Sequence, residues 1–89
     1  MDRFLLSRRA ERDRRRLGPG PELDRIQAGL ERLSSGDPSL GIKPLTGRAA
    51  WLRLRIADWR VLYRPANALI LVARIIRRGE LEQAFRTLE

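Results

Sequence analysis

Between Trp51 and Arg64 the chain reads WLRLRIADWRVLYR, and apolar residues alternate with their neighbours in two successive limbs. In the first limb Leu52, Leu54 and Ile56 share one parity and Trp51, Arg53 and Arg55 the other; in the second, Trp59, Val61 and Tyr63 oppose Arg60, Leu62 and Arg64. A period of two is the signature of a half-buried strand, and aromatic and branched residues suit it. With Ala57-Asp58 as a two-residue turn, Ile56 faces Trp59, Arg55 faces Arg60, Leu54 faces Val61, Arg53 faces Leu62 and Leu52 faces Tyr63. The apolar set then falls on one side of the hairpin, so the register is self-consistent. The turn residues are awkward, because primed hairpin turns need a positive φ that glycine takes readily and Ala57 does not.

On the other side this register sets Arg55 directly opposite Arg60, with Arg53 and Arg64 nearby. Like charges facing each other across two strands are unfavourable by roughly 0.2–1 kcal/mol per pair. An anionic visitor is therefore expected over that face. The charge of the whole chain points the same way. Lys43, Arg48, Arg53, Arg55, Arg60, Arg64, Arg74, Arg77 and Arg78 stand against Asp58 alone between positions 43 and 78. The other ten arginines and ten carboxylates cancel, so all of the net +8 sits in this segment. Basic charge gathered on one structural unit is the footprint of a polyanion site, and nucleic acid is the commonest such partner.

The remaining segments supply the other layers. Arg3–Leu6 suits a first, edge strand, and Ser7 a helix N-cap. Arg8 to Leu17 is made of strong helix formers with a thin apolar stripe, Ala10 and Leu17; its arginines read as a solvated face balanced by acids. The block GPGP at 18–21 breaks that helix and starts another. In the second helix Leu23, Ile26, Leu30 and Leu33 recur on one face, until Gly36 and Pro38 end it. Residues 39–50 read as a loop, RPAN at 64–67 as a turn, and Leu69 to Ile76 as a covered strand. Leu81, Ala84, Phe85 and Leu88 form a short helical stripe that could dock on the sheet edge or on a partner. The chain is expected to be one domain, residues 1–89, of α+β class: an N-terminal strand, a helical hairpin, a three-stranded antiparallel continuation and a short C-terminal helix. The arginine face is expected to stay concave and open.

Eighty-nine residues support one modest core. The absence of cysteine and histidine excludes disulfides, the usual zinc sites and a Ser-His-Asp arrangement, which removes most hydrolase chemistries. No cofactor or metal is expected. The N-terminal stretch lacks the apolar run of a signal peptide, and ALILVARII is far short of a membrane span, so a cytoplasmic protein with no membrane association is expected.

The stretch KPLTGRAAWLRLRIADWRVLY resembles the RelE/ParE superfamily of toxins from type II toxin-antitoxin systems. The likeness extends to Asp37-Pro38 after the second helix, the apolar last strand, and the Arg77-Arg78 that closes it. It implies a RelE-like fold and a cognate antitoxin partner, expected to be acidic and to place carboxylates near Arg55 and Arg60. It also implies, in the RelE branch, metal-independent cleavage of messenger RNA on the ribosome by attack of a 2′-hydroxyl on the neighbouring phosphate. Arg60 then matches the arginine that follows the turn, Arg55 the strand arginine before it, and Arg78 the arginine ending the last strand. These three are the candidate catalytic residues. Lys43, Arg48, Arg53, Arg64, Arg74, Arg77 and Trp51 are candidate RNA-binding residues, Trp51 as a stacking surface.

Three positions depart from the pattern, one of them mildly: Ala57 stands in place of the customary turn glycine. Arg53 stands where RelE has a lysine, and Phe85 where a C-terminal tyrosine is found. Arginine is a poor general base and phenylalanine has no ionisable proton, so proton transfer would fall to water or to a ribosomal group. This incomplete set keeps two alternatives open: a ParE-like inhibitor of DNA gyrase, which needs no catalytic residues, and a non-catalytic RNA-binding module.

Overall fold

The computed structural model of the chain describes residues 3–86. Leu88 of the expected C-terminal stripe, and the side chain of Phe85, lie outside what it describes. The strands are β1 (Arg3–Leu6), β2 (Gly41–Pro44), β3 (Leu52–Ile56), β4 (Trp59–Ala66) and β5 (Leu69–Arg77). The helices are α1 (Arg8–Leu17), α2 (Pro21–Ser34) and the short α3 (Leu81–Phe85), which follows a 3-10 turn at Arg78–Glu80. One five-stranded sheet has the order β1-β5-β4-β3-β2. Its first strand runs parallel to β5, and the other pairs are antiparallel. The α+β class and the expected element order hold, with one more strand than the sequence suggested.

The hairpin register is the one the alternation dictates, from Ile56 opposite Trp59 to Leu52 opposite Tyr63. Its apolar side meets the α1–α2 hairpin. Ile26, Leu54, Val61 and Val72 are almost wholly buried there, with Leu30 and Leu33 packed alongside. Leu23, expected on the same stripe, is only partly buried. Gly29 sits where α2 crosses β3, and a Cβ built on it would come within 2.5 Å of the Ile56 side chain. A glycine inside a helix, normally destabilising by about 1 kcal/mol relative to alanine, is explained here by that close approach.

Three expectations are corrected. Residues Gly41–Pro44, read as loop, form an edge strand paired with β3. The turn placed at 64–67 falls at Asn67-Ala68, because β4 continues through Pro65 and Ala66 to pair with Ile70 and Leu69. Proline is tolerated there because β3 pairing stops at Tyr63, leaving the other side of β4 without a strand. Finally, the arginine face is not open throughout. Leu62 and Ile76 lie on it fully buried, covered by Leu45 and Ala84, with Trp51, Ala73 and Leu81 packed around them. The last helix thus docks on the sheet's face rather than its edge.

A register shift between Leu62 and Tyr63 leaves Ala73 as an extra residue in β5. Strict alternation would send Val72 and Ile75 to opposite faces; the irregularity keeps both in the main core. It occurs where β1 has ended and α1 has taken over as β5's neighbour. Ser7, which caps α1 by accepting from the Ala10 N–H, also donates its hydroxyl to the Ala73 carbonyl.

Candidate functional site

The two-residue turn brings Arg55 and Arg60 face to face. Arg60 is held in place by donating to two carbonyls of its own turn, those of Ala57 at 3.0 Å and Trp59 at 2.9 Å. On one side the main chain of Arg78 donates to the Asp58 carbonyl, which brings the end of β5 against the same turn. On the other, Arg53 follows Arg55 at the same parity, and Lys43 of β2 pairs with Arg53 in a second like-charged cross-strand pair. Arg53, Arg55, Arg60 and Arg78 line one shallow hollow of about 590 Å³, with Asp58 and Leu81 at its rim. Among the described residues no carboxylate lies within ion-pairing distance of these four arginines.

The hollow's electrostatics follow from this crowding. Partial burial lowers the Arg60 pKa, and the charges of Arg55, Arg53 and Arg78 lower it further, with Asp58 pulling the other way. Such a site favours any ligand that brings negative charge, and guanidinium planes match the two-oxygen geometry of a phosphodiester. Among the described residues no group of three or more carboxylates is gathered that could hold a metal ion.

The other candidate residues lie elsewhere. Arg64, expected near the facing pair, is four residues further along β4, roughly 13 Å at strand spacing. Its guanidinium covers the Trp51 ring at 5.5 Å, and Trp51 in turn packs on the small second core. Arg48 is in the loop before β3, where its backbone turns the chain between Leu45 and Trp51. Arg74 is neutralised within the chain: Asp13, itself only 5% exposed, accepts from its guanidinium at 2.8 Å and from the Ile75 N–H at 2.9 Å. Arg77 is on the helix side of the sheet, 4.5 Å over the Trp59 ring and within 3.7 Å of Glu22 and 3.5 Å of Asp58. The hollow therefore gathers Arg53, Arg55, Arg60 and Arg78, with Lys43 beside Arg53 on the adjoining strand, and leaves out Arg48, Arg64, Arg74 and Arg77.

Two features were not legible as functional. Asp58, expected as a turn residue and as the one acid among nine basic residues, is also a lining residue of the hollow. Asp13, expected as a balancing charge on a solvated face, is buried, and it stands three residues after Ala10 and four before Leu17, on the buried stripe itself. That spacing was the available signal.

Residues 4–82 match the family described as ParE toxin of type II toxin-antitoxin system, parDE. The chain belongs to this family and is a type II toxin-antitoxin toxin of the RelE/ParE superfamily. No curated protein sequence matches it. Among solved structures it is similar to the RelB-RelE antitoxin-toxin complex from Methanococcus jannaschii, with 20% identity over 91% of this chain and 98% of that one and a TM-score of 0.72. It is also similar to the E. coli DinJ-YafQ complex, with 14% identity over 91% and 98% and a TM-score of 0.74. A third is the YoeB/ParE toxin from Agrobacterium tumefaciens, with 20% identity over 85% and 98% and a TM-score of 0.66. At these identities the likeness is one of fold. Among the described residues no helix is long and apolar enough to cross a membrane.

Proposed function

We propose that this toxin acts in the cytoplasm on messenger RNA at the ribosome, with the arginine hollow receiving the phosphodiester to be cut. The observation that carries the reading is the facing Arg55–Arg60 pair, joined by Arg53 and Arg78 and left without a carboxylate partner among the described residues. In the proposed reaction the ribose 2′-oxygen bonds to the adjacent phosphorus and the bond from phosphorus to the next 5′-oxygen breaks. The products are a cyclic phosphate and a free 5′-hydroxyl. Arginines fixed around the phosphoryl oxygens stabilise the negative charge that grows on them, a contribution available without a metal. The 2′-hydroxyl proton passes to water or to a ribosomal group. Arg60 can hydrogen-bond to the leaving 5′-oxygen, which takes its proton from water or a ribosomal group. A cognate antitoxin of acidic character would oppose the same charge.

A second reading, inhibition of DNA gyrase without catalysis, is favoured by a specific observation. The chain's one tyrosine, Tyr63, is 3% exposed on the helix side of the sheet and cannot serve the hollow. Primer extension on messenger RNA from cells expressing the chain, run beside a gyrase supercoiling assay, separates the two. The first reading expects cuts within codons that vanish with Arg60→Ala. Intact transcripts with blocked supercoiling would replace it with the second.

A further inference from the structure

The hollow is lined by four arginines and one acid, and among the described residues the acid pairs with none of the four. The peptide groups around Asp58 lie against two of them. Its carbonyl accepts from the Arg78 N–H, and the Arg60 guanidinium donates to the carbonyls on either side, those of Ala57 and Trp59. The Asp58 carboxylate nevertheless lies 3.5 Å from Arg77, the residue that β5 turns to the helix side of the sheet opposite Trp59. Several guanidinium groups gathered without a carboxylate attract an acid in this turn more strongly than one on the far side of the sheet, unless that one is already fixed in place.

Arg77 is fixed in that way. Its guanidinium lies 4.5 Å over the ring of Trp59, which is buried, and 3.7 Å from Glu22 of α2. Glu22 in turn accepts from the Trp59 indole N–H at 3.0 Å, so ring, acid and guanidinium hold one another. An ion pair between side chains that are both more than half exposed, as Arg77 and Asp58 are, adds little to folding stability. It still decides where one carboxylate points, because an exposed side chain changes rotamer freely and the other partners within its reach are the arginines of the hollow.

We propose that Arg77 is a positioning residue for the hollow: it holds the Asp58 carboxylate on the helix side of the sheet and keeps it from neutralising Arg55, Arg60 and Arg78. The inference rests on the reading of the hollow as a phosphodiester site and adds what keeps that site vacant. Arg77, expected from the sequence to bind RNA, then serves RNA from the opposite side of the sheet by withdrawing a competitor. Without it, Asp58 turns over the hairpin and occupies the guanidinium groups as an internal anion that an incoming phosphate has to displace.

The test is a double-substitution cycle on the full chain, with affinity for a fluorescein-labelled oligouridylate read by anisotropy. It is run at about 0.15 M salt, where exposed charges more than about 8 Å apart are largely screened. The expected result is that Arg77→Gln weakens binding by about fivefold or more, and that the gain from Asp58→Asn is about threefold or more larger in the Arg77→Gln background than in the parent chain. Charges acting only at a distance would give the same gain in both backgrounds. A purely structural Arg77 would leave a loss that Asp58→Asn does not lift. Either result overturns the inference. Should Arg77→Gln disturb the fold by emptying the place over Trp59, Arg77→Met keeps an apolar stem there and carries the same cycle. Failure of the messenger RNA reading shows separately, as an oligouridylate affinity that ignores Arg55→Gln with Arg60→Gln, and it removes the inference with it. A cycle without coupling, beside an affinity that does respond to that pair, removes the inference alone.

Discussion

Ala57 holds a φ of 53°, in the left-handed region that crowds an L side chain. Asp58 is not among the residues with positive φ, so the strain falls on the first turn position alone, the pattern of a type II′ turn. The pairing of two whole strands outweighs that local preference. Ala57→Gly should relieve more strain than it adds in unfolded-state freedom and raise stability by about 0.5–1 kcal/mol. Urea denaturation would measure it, and a lower midpoint would show that the turn is not strained. The position of the turn was legible because the apolar residues change phase there. The facing of Arg55 and Arg60 was legible for the same reason, since a two-residue turn leaves no freedom in register. The destination of Arg74 was not, because it depends on an irregularity in β5 that the nearly continuous apolar run on either side of it conceals.

At the scale of elements, α1 is the least self-sufficient. It carries six arginines and a thin apolar stripe, and its attachment depends on one buried carboxylate. Asp13 satisfies the Ile75 N–H where β1 no longer pairs with β5, and it accepts from the Arg74 guanidinium, a hydrogen bond that raises the Arg74 pKa. Removing one partner of a buried pair is far more damaging than removing both. Asp13→Ala is therefore expected to lose about 3 kcal/mol, with amide exchange at Ile75 accelerated ahead of the rest of β5. Unchanged protection at Ile75 would mean that α1 does not depend on this contact. Elements with a strong period, α2, β3 and β4, were readable in the sequence, and β5 by its apolar run. β2 was not: four residues containing glycine and proline have no strand character of their own, and they are extended because β3 offers an edge.

At the scale of the whole molecule, the segregation of charge and the hairpin alternation both pointed to the arginine-bearing face. What the sequence could not show is that a small apolar core divides that face. Leu45 and the helix carrying Leu81 and Ala84 are far apart in the chain and meet only in the fold, over Leu62 and Ile76. The division separates the Arg55–Arg60 hollow from Arg64, which lies over Trp51 further along β4.

The central claim is that Arg55 and Arg60 are held together against their mutual repulsion for the sake of an anionic ligand. Arg55→Gln tests it most directly, since Arg55 is exposed and pairs with no carboxylate among the described residues. The measurement is the unfolding free energy of the variant and the parent chain at low ionic strength, repeated with added phosphate. The account expects the variant to be more stable than the parent by a few tenths of a kcal/mol up to about 1 kcal/mol without phosphate, with the gap closing as phosphate is added. A variant less stable than the parent under both conditions would contradict it, because Arg55 would then be stabilising the fold rather than awaiting a ligand.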